Sequence, residues 1–471
     1  MSVMKRIYNY IAVSAVAALS LTACNETIVV DKVDEGAYAN VVNLVGTLRD
    51  ANTNKVSNIV EMRQDPFGTQ VAVNFSRMPK KGVDVTVQYD AAYVEAYNKE
   101  HGTSFQAYPE SKVSLQNGGK IVVAPDEKVS YTLDLSIEPF EDKEEATYVL
   151  PLKAVTTTDG VKVSETESHL VYLVKNMSWQ GSALRKDGQK SVFCYFEVND
   201  TNPLNVLCWE TEEGQLLVDY LCLFAYNINY DKEKGEVYCF ANPQCQYILD
   251  HYDEVIKPLR ERGVKVLIGL LGNHDEAGLA QLSEIGCKDF AQKLAALCYG
   301  YGFDGVNFDD EYSNGPDLTN PLFAQRSNEA GSRLMLESKK AMPDLLVTTF
   351  QYGAMGGSDY VDGIPAGEWL DIAVANYGGA GSPLQGMTHA NCSASSIEFA
   401  RGGSISVDNA KRWAASDYGY VMIFAPWAAN NQGNSSQFNS LSNLAEGLLG
   451  SRLKTPDYYW PQTKSLETVA Y

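Results

Sequence analysis

Positive charge is what this 471-residue chain has least of: 38 Lys and Arg stand against 59 Asp and Glu, a formal charge of −21. A nucleic-acid binder needs a basic patch against phosphates, and that class is excluded. Histidine is scarce too. Its five scattered positions offer no zinc-site spacing. The nine cysteines form no C-x-x-C pair, and eight of them, Cys194 to Cys392, lie beyond residue 190. Several interrupt apolar runs, as in Leu221-Cys222-Leu223-Phe224, so buried free thiols are expected rather than a disulfide framework. No Gly-rich nucleotide loop follows the first strand-like run of that part, which argues against a doubly wound dinucleotide fold. No cofactor and no metal is expected. A neutral ligand such as a carbohydrate fits the charge and the aromatic content of 28 Tyr and 6 Trp, although a β-rich core would use the same residues.

Residues 1–23 read as an export signal, with Lys5 and Arg6 as the positive start and Ile11 to Leu21 as an apolar run too short to span a bilayer stably. Leu21-Thr22-Ala23-Cys24 resembles a lipobox. Lipidation of Cys24 is expected to anchor the chain to a membrane as an outer-membrane or cell-surface lipoprotein. The remainder is expected to be soluble and monomeric.

The length suggests more than one core. Over 24–175, short alternating runs such as Gln70 to Phe75, Val83 to Tyr89 and Tyr148 to Val155 are separated by turn residues, which predicts an all-β sandwich interrupted by one helix, Ala91 to Glu100. Residues 176–190 are polar and read as a linker. From 191 to 471 the rhythm changes to apolar runs alternating with helical patterns. Eight runs are proposed: Ser191 to Val198, Leu217 to Tyr226, Val264 to Leu271, Gly305 to Asp310, Leu345 to Gln351, Ile372 to Tyr377, Ser396 to Arg401 and Tyr420 to Trp427. Eight is the count of a closed α/β barrel, so the fold expected is multidomain: a sandwich followed by a TIM (β/α)8 barrel.

The stretch Phe303-Asp-Gly-Val-Asn-Phe-Asp-Asp-Glu-Tyr312 is where chemistry concentrates. Read as a strand, it puts Gly305, Asn307, Asp309 and Glu311 on one face, and a step of two residues is ~6.6 Å. Asp309 and Glu311 can then reach one sugar ring, as paired acid/base work on a glycosidic bond requires. A calcium-binding acidic loop is the alternative, but such loops place Gly mid-run.

Residues 304 to 311 also resemble the DGxDxDxE signature of glycoside hydrolase family 18, in the form found in endoglycosidase H type endo-β-N-acetylglucosaminidases. The resemblance covers most of 190–455, with Asn307 standing where the family has an Asp. It implies that Glu311 is the general acid and that Asp309 orients the substrate's N-acetyl group while an oxazolinium intermediate forms. It also implies that Tyr377 bonds the N-acetyl carbonyl, that Gln351 contacts the same group, and that Trp427 floors the sugar subsite. Asn273, Asn376 and Asn307 complete the substrate-binding residues expected at strand ends, while His274 reads as a loop cap. The implied substrate is the chitobiose core of N-glycans, high-mannose by preference, on a glycoprotein or free glycan. A chitinase-like hydrolase and a non-catalytic glycan-binding lipoprotein on the same barrel remain as alternatives, and Asn307 keeps the second open.

Overall fold

The computed structural model describes residues 44–180, 188–428 and 431–461. The export signal and Cys24 lie outside them. The N-terminal part is two packed, mostly antiparallel sheets. One runs Val161–Val163, Leu44–Asp50, Phe67–Phe75, Leu133–Ile137 and Val113–Leu115. The other runs Ser57–Met62, His169–Asn176, Thr147–Val155, Val83–Tyr89 and Lys120–Val123. Burial alternates along the strands, strictly so in Leu44–Asp50, which places Leu48, Val71, Val85, Leu135 and Leu150 between the sheets. The predicted helical insert is present as Tyr93–His101. Ser57–Met62 was not anticipated, because it pairs in parallel with His169–Asn176, more than a hundred residues away.

Beyond residue 190 all eight predicted runs form strands, at Ser191–Glu197, Tyr220–Asp231, Lys265–Leu271, Gly305–Phe308, Leu346–Gln351, Ile372–Ala375, Ser393–Glu398 and Tyr420–Phe424. They are parallel neighbours in barrel order, and a parallel bridge between Ala373 and Cys392 joins the sixth to the seventh. The result is a large barrel-like parallel sheet. Phe193, Tyr195, Cys222, Leu267, Phe350 and Met422 fill its interior. A Cβ at Gly269 would lie 2.7 Å from the Cys222 sulfur, so the filling leaves no room there for a side chain. An unpredicted strand, Glu236–Phe240, folds back on the long second strand. Among the described residues no α-helix follows the first, fifth or sixth strand, where the connections are 3₁₀ turns and loops, with a short hairpin of Tyr360–Val361 and Ile364–Pro365 after the fifth. The eight cysteines at 194–392 are unpaired.

The expected linker is partly structural. Asn176 ends a sandwich strand, Met177 and Gln180 are buried, and the Trp179 ring lies 5.0 Å from the Arg260 guanidinium. The two parts meet at the N-terminal ends of the barrel strands. There Arg260 bridges Asp304 and Glu145, Lys265 pairs with Glu61, and Lys175 donates to the Asp344 carbonyl. The opposite end, where strands point their C-termini, is left open.

Candidate active site

The carboxylate-rich stretch divides into a structural half and a chemical half. Asp304 lies at the bottom, where its carboxylate accepts from Arg260 at 3.1 Å and from the Val266 amide at 2.9 Å. Burial opposes its charge, but Arg260 prevails and holds it below the usual carboxylate range. Gly305 follows with φ 154°, and a Cβ there would sit 2.2 Å from the Leu346 carbonyl oxygen, so only glycine lets the fourth strand approach the fifth.

The fourth strand is shorter than predicted. It ends at Phe308, and Asp309 to Tyr312 form a loop. Alternation nevertheless continues past the ladder. Asp309 and Glu311 face one cavity, of about 620 Å³, at the C-terminal mouth of the sheet. Asp310 points away, buried, onto the Arg326 guanidinium at 2.7 Å. The loop is tied down by its own backbone: the Glu311 amide donates to the Asp309 carbonyl at 3.2 Å and the Gly272 amide to the Glu311 carbonyl at 3.1 Å. A Cβ on Gly272 would come within 2.2 Å of that carbonyl oxygen, so this contact requires glycine.

Electrostatics single out Asp309. It is 6% exposed and its Oδ1 has no hydrogen-bond partner among the described residues. Burial pushes its carboxyl well above the ordinary range, and the neighbouring Glu311 and Asp310 push it further, so it holds a proton that an exposed aspartate would lose. Beneath it, Asn307 is fully buried and donates from Nδ2 to Thr348 Oγ1 at 2.8 Å. Its Oδ1 and the buried Tyr195 hydroxyl have no hydrogen-bond partner among the described residues. Asn307 is therefore buried beneath the cavity and is not among the residues that line it, where it was expected.

The other expected binding residues separate. Tyr377 and Asn376 line the cavity, the tyrosine ring packed against Phe350 and Phe424 at 5.7 and 5.9 Å. Trp427 does not. With positive φ at Ala425 and Trp427 the chain turns back, and the fully buried indole packs in the outer core against Trp209 at 5.1 Å and Tyr459 at 5.0 Å, so it floors no subsite. Gln351 spends both ends of its amide on Ser382, accepting from its nitrogen at 2.9 Å and donating to its oxygen at 2.8 Å, which pins the loop after the sixth strand; it is not among the residues that line the cavity. Asn273 donates to Asn229 at 3.0 Å, outside the cavity. His274 fastens its loop by backbone, its amide donating to the Tyr312 carbonyl at 2.6 Å.

Across the cavity stand Glu197 and Arg401, polar residues at the ends of predicted strands, and Glu398, which was not expected there. Glu197 ends the first strand, Glu398 the seventh, and Arg401 follows it. Arg401 pairs with Glu398 at 3.1 Å. Burial, then Asp200 and Glu398, push the Glu197 carboxyl up to about 7. The signal available in the sequence was weak: Ser-Ala-Ser-Ser-Ile-Glu is too polar to mark Glu398 as the end of a barrel strand.

A family profile for an N-terminal domain type matches residues 37–161. Endo-beta-N-acetylglucosaminidase F1 of Elizabethkingia meningoseptica is 38% identical over 267 residues, covering 56% of this chain and 79% of that protein. An endo-beta-N-acetylglucosaminidase of Flavobacterium sp. (strain SK1022) is 30% identical over 243 residues, covering 51% and 76%. Among solved structures, EndoBT-3987 of Bacteroides thetaiotamicron with Man5GlcNAc product superimposes with a TM-score of 0.84 at 43% identity, covering 89% of this chain and 98% of that one. With identity and coverage of this extent, and with two carboxyl groups converging on one cavity, this chain belongs to the endo-β-N-acetylglucosaminidase family.

Proposed function

We propose that the protein is an endo-β-N-acetylglucosaminidase of glycoside hydrolase family 18 on a (β/α)8 barrel, cutting the GlcNAc-β1,4-GlcNAc bond in the chitobiose core of N-glycans. The observation that carries this is the convergence of Asp309 and Glu311 on one cavity at the C-terminal mouth, beside Tyr377. High-mannose glycans are the favoured substrate, because EndoBT-3987, 42% identical over 89% of this chain, is described in complex with Man9GlcNAc2Asn substrate.

In this reading Glu311 protonates the leaving O4 while the substrate's own acetamide oxygen attacks the anomeric carbon. An oxazolinium forms, and the configuration is retained after water, deprotonated by Glu311, opens it. Asp309 orients the acetamide. Its buried position keeps a proton available until the acetamide group arrives and positive charge develops beside it. Tyr377, which lines the same cavity, bonds the acetamide carbonyl in this reading.

We also propose that residues 1–23 are removed, that Cys24 carries lipid, and that the enzyme works at the outer membrane or cell surface, supported by the Leu21-Thr22-Ala23-Cys24 sequence. The enzymatic reading is tested with Glu311→Gln on a high-mannose glycoprotein. Mass spectrometry should find a single GlcNAc left on protein by the native enzyme and intact glycan with the variant. Near-native turnover by Glu311→Gln would refute the assignment.

A further inference from the structure

The wall opposite Asp309 and Glu311 carries charge the cleavage scheme does not use. Glu398 is about nine-tenths buried, with a side-chain exposure of 10%. One of its oxygens, Oε2, takes the Arg401 guanidinium, which is itself 84% exposed. The other, Oε1, is buried and has no hydrogen-bond partner among the described residues, although Glu398 lines the cavity. Burying an acceptor without a donor is unfavourable, more so for a charged one, so an unfilled site of this kind is a place where a ligand gains by donating. Glu197, at the end of the first strand, lines the same cavity, with the eighth strand between the two.

The chemistry that satisfies such a wall is narrow. A ligand must bring O–H or N–H donors, and an acidic substituent would meet two carboxyl groups with one exposed guanidinium to offset them. Aromatic side chains at Phe224, Phe424 and Tyr352 supply apolar faces around the same cavity. Donors on a ring with an apolar face describe a neutral hexose.

We propose that Glu398, held by Arg401 and flanked by Glu197, is a specificity-determining residue: its Oε1 accepts a hydroxyl of the neutral mannose that adjoins the cleaved N-acetylglucosamine. This rests on the enzymatic reading above, and deepens it by assigning the second sugar to the first and seventh strands. The fourth-strand carboxyl groups would then handle the N-acetylglucosamine alone.

The test is calorimetric titration of Man5GlcNAc and of GlcNAc into the full chain carrying Glu311→Gln, with and without a change at Glu398. Glu398→Ala should weaken Man5GlcNAc by about tenfold or more while GlcNAc binding stays within about twofold. Glu398→Gln, which keeps an acceptor, should recover part of that loss. Man5GlcNAc affinity within about threefold of the parent overturns the assignment. So does an equal loss for both sugars accompanied by a lower melting temperature, since that would mark Glu398 as structural only. If the parent binds neither sugar and the native chain releases no glycan, the enzymatic reading has failed, and the subsite falls with it.

Discussion

Arg326 grips Asp310 at two points, its Nε donating to the carboxylate at 2.7 Å and its Nη2 to the Asp310 carbonyl at 3.0 Å. Asp310 is 1% exposed and sits between the two carboxyl groups assigned to cleavage. Its neighbours must therefore project the other way, into the cavity. The clamp, together with the Asp309 amide's bond to the Leu270 carbonyl at 3.0 Å, sets the facing of Asp309 and Glu311 beyond the end of the strand.

Removing this clamp should damage activity more than stability. Arg326→Ala leaves a buried carboxylate unpaired, worth about 1–3 kcal/mol, with the lower end expected because half of Arg326 already meets solvent. Loss of loop register should lower kcat by about tenfold or more. Steady-state kinetics with a thermal melt tests both, and unchanged kcat would mean that the backbone bonds of the loop suffice.

At the far end of the barrel the order of effects reverses. Arg260 and Asp304 are 3% and 5% exposed and pair directly, while Glu145 from the sandwich is 48% exposed. Arg260→Ala should cost about 3–5 kcal/mol by stranding Asp304 in the interior. Glu145→Ala should cost about 1 kcal/mol or less, because its charge is screened by water. Denaturant unfolding of both variants measures the difference. Equal effects would show that the contact between the two parts, and not burial, carries the energy.

The barrel was legible because its strands are covered on both faces and read as near-continuous apolar runs, Val264 to Leu271 most clearly. The catalytic loop was legible from its carboxylate density alone. Three kinds of feature were not. Trp427 looked like a strand-end aromatic, but the positive φ that turns its ring into the outer core depends on what surrounds it. Gln351 was expected at the N-acetyl group, yet its amide is matched to the backbone of Ser382, thirty-one residues on. Glu398 ends a strand made chiefly of serine, whose burial comes from neighbours on either side and not from its own composition.

Glu197 gives a dependence on pH whose sign follows from its burial. Its carboxyl is raised from the ordinary 4.5 to about 7, so the folded protein holds the proton more tightly than the unfolded chain does. Stability from this group is complete below pH 4.5 and is lost as pH rises through 7. Glu197→Gln keeps the neutral shape. It should match the native protein at about pH 4 and exceed it at about pH 8, by no more than about 3 kcal/mol. Melting curves at the two values decide, and an equal gain at both would exclude titration as the cause.

Asn307 offers the sharpest test of how the site manages protons. Its Nδ2 donates to Thr348 Oγ1, and Thr348 passes its own hydrogen to the Val306 carbonyl at 2.9 Å. An aspartate here can reproduce that donation only while it is protonated. At low pH, Asn307→Asp should therefore behave as the native enzyme does. As pH rises, two buried carboxyl groups with Tyr195 and Glu311 around them cannot both ionise, and Asp309 keeps its proton longer. The alkaline limb of kcat/KM should move upward by about half a unit to one unit. The melting temperature of the variant should fall with rising pH, because an ionised Asp at this position loses Thr348 and stays buried. A pH–rate profile and pH-resolved melts follow the two effects separately. If the limb stays in place while the variant melts normally at every pH, then Asn307 does not communicate with Asp309, and the proton held at the site is governed by burial and Glu311 alone.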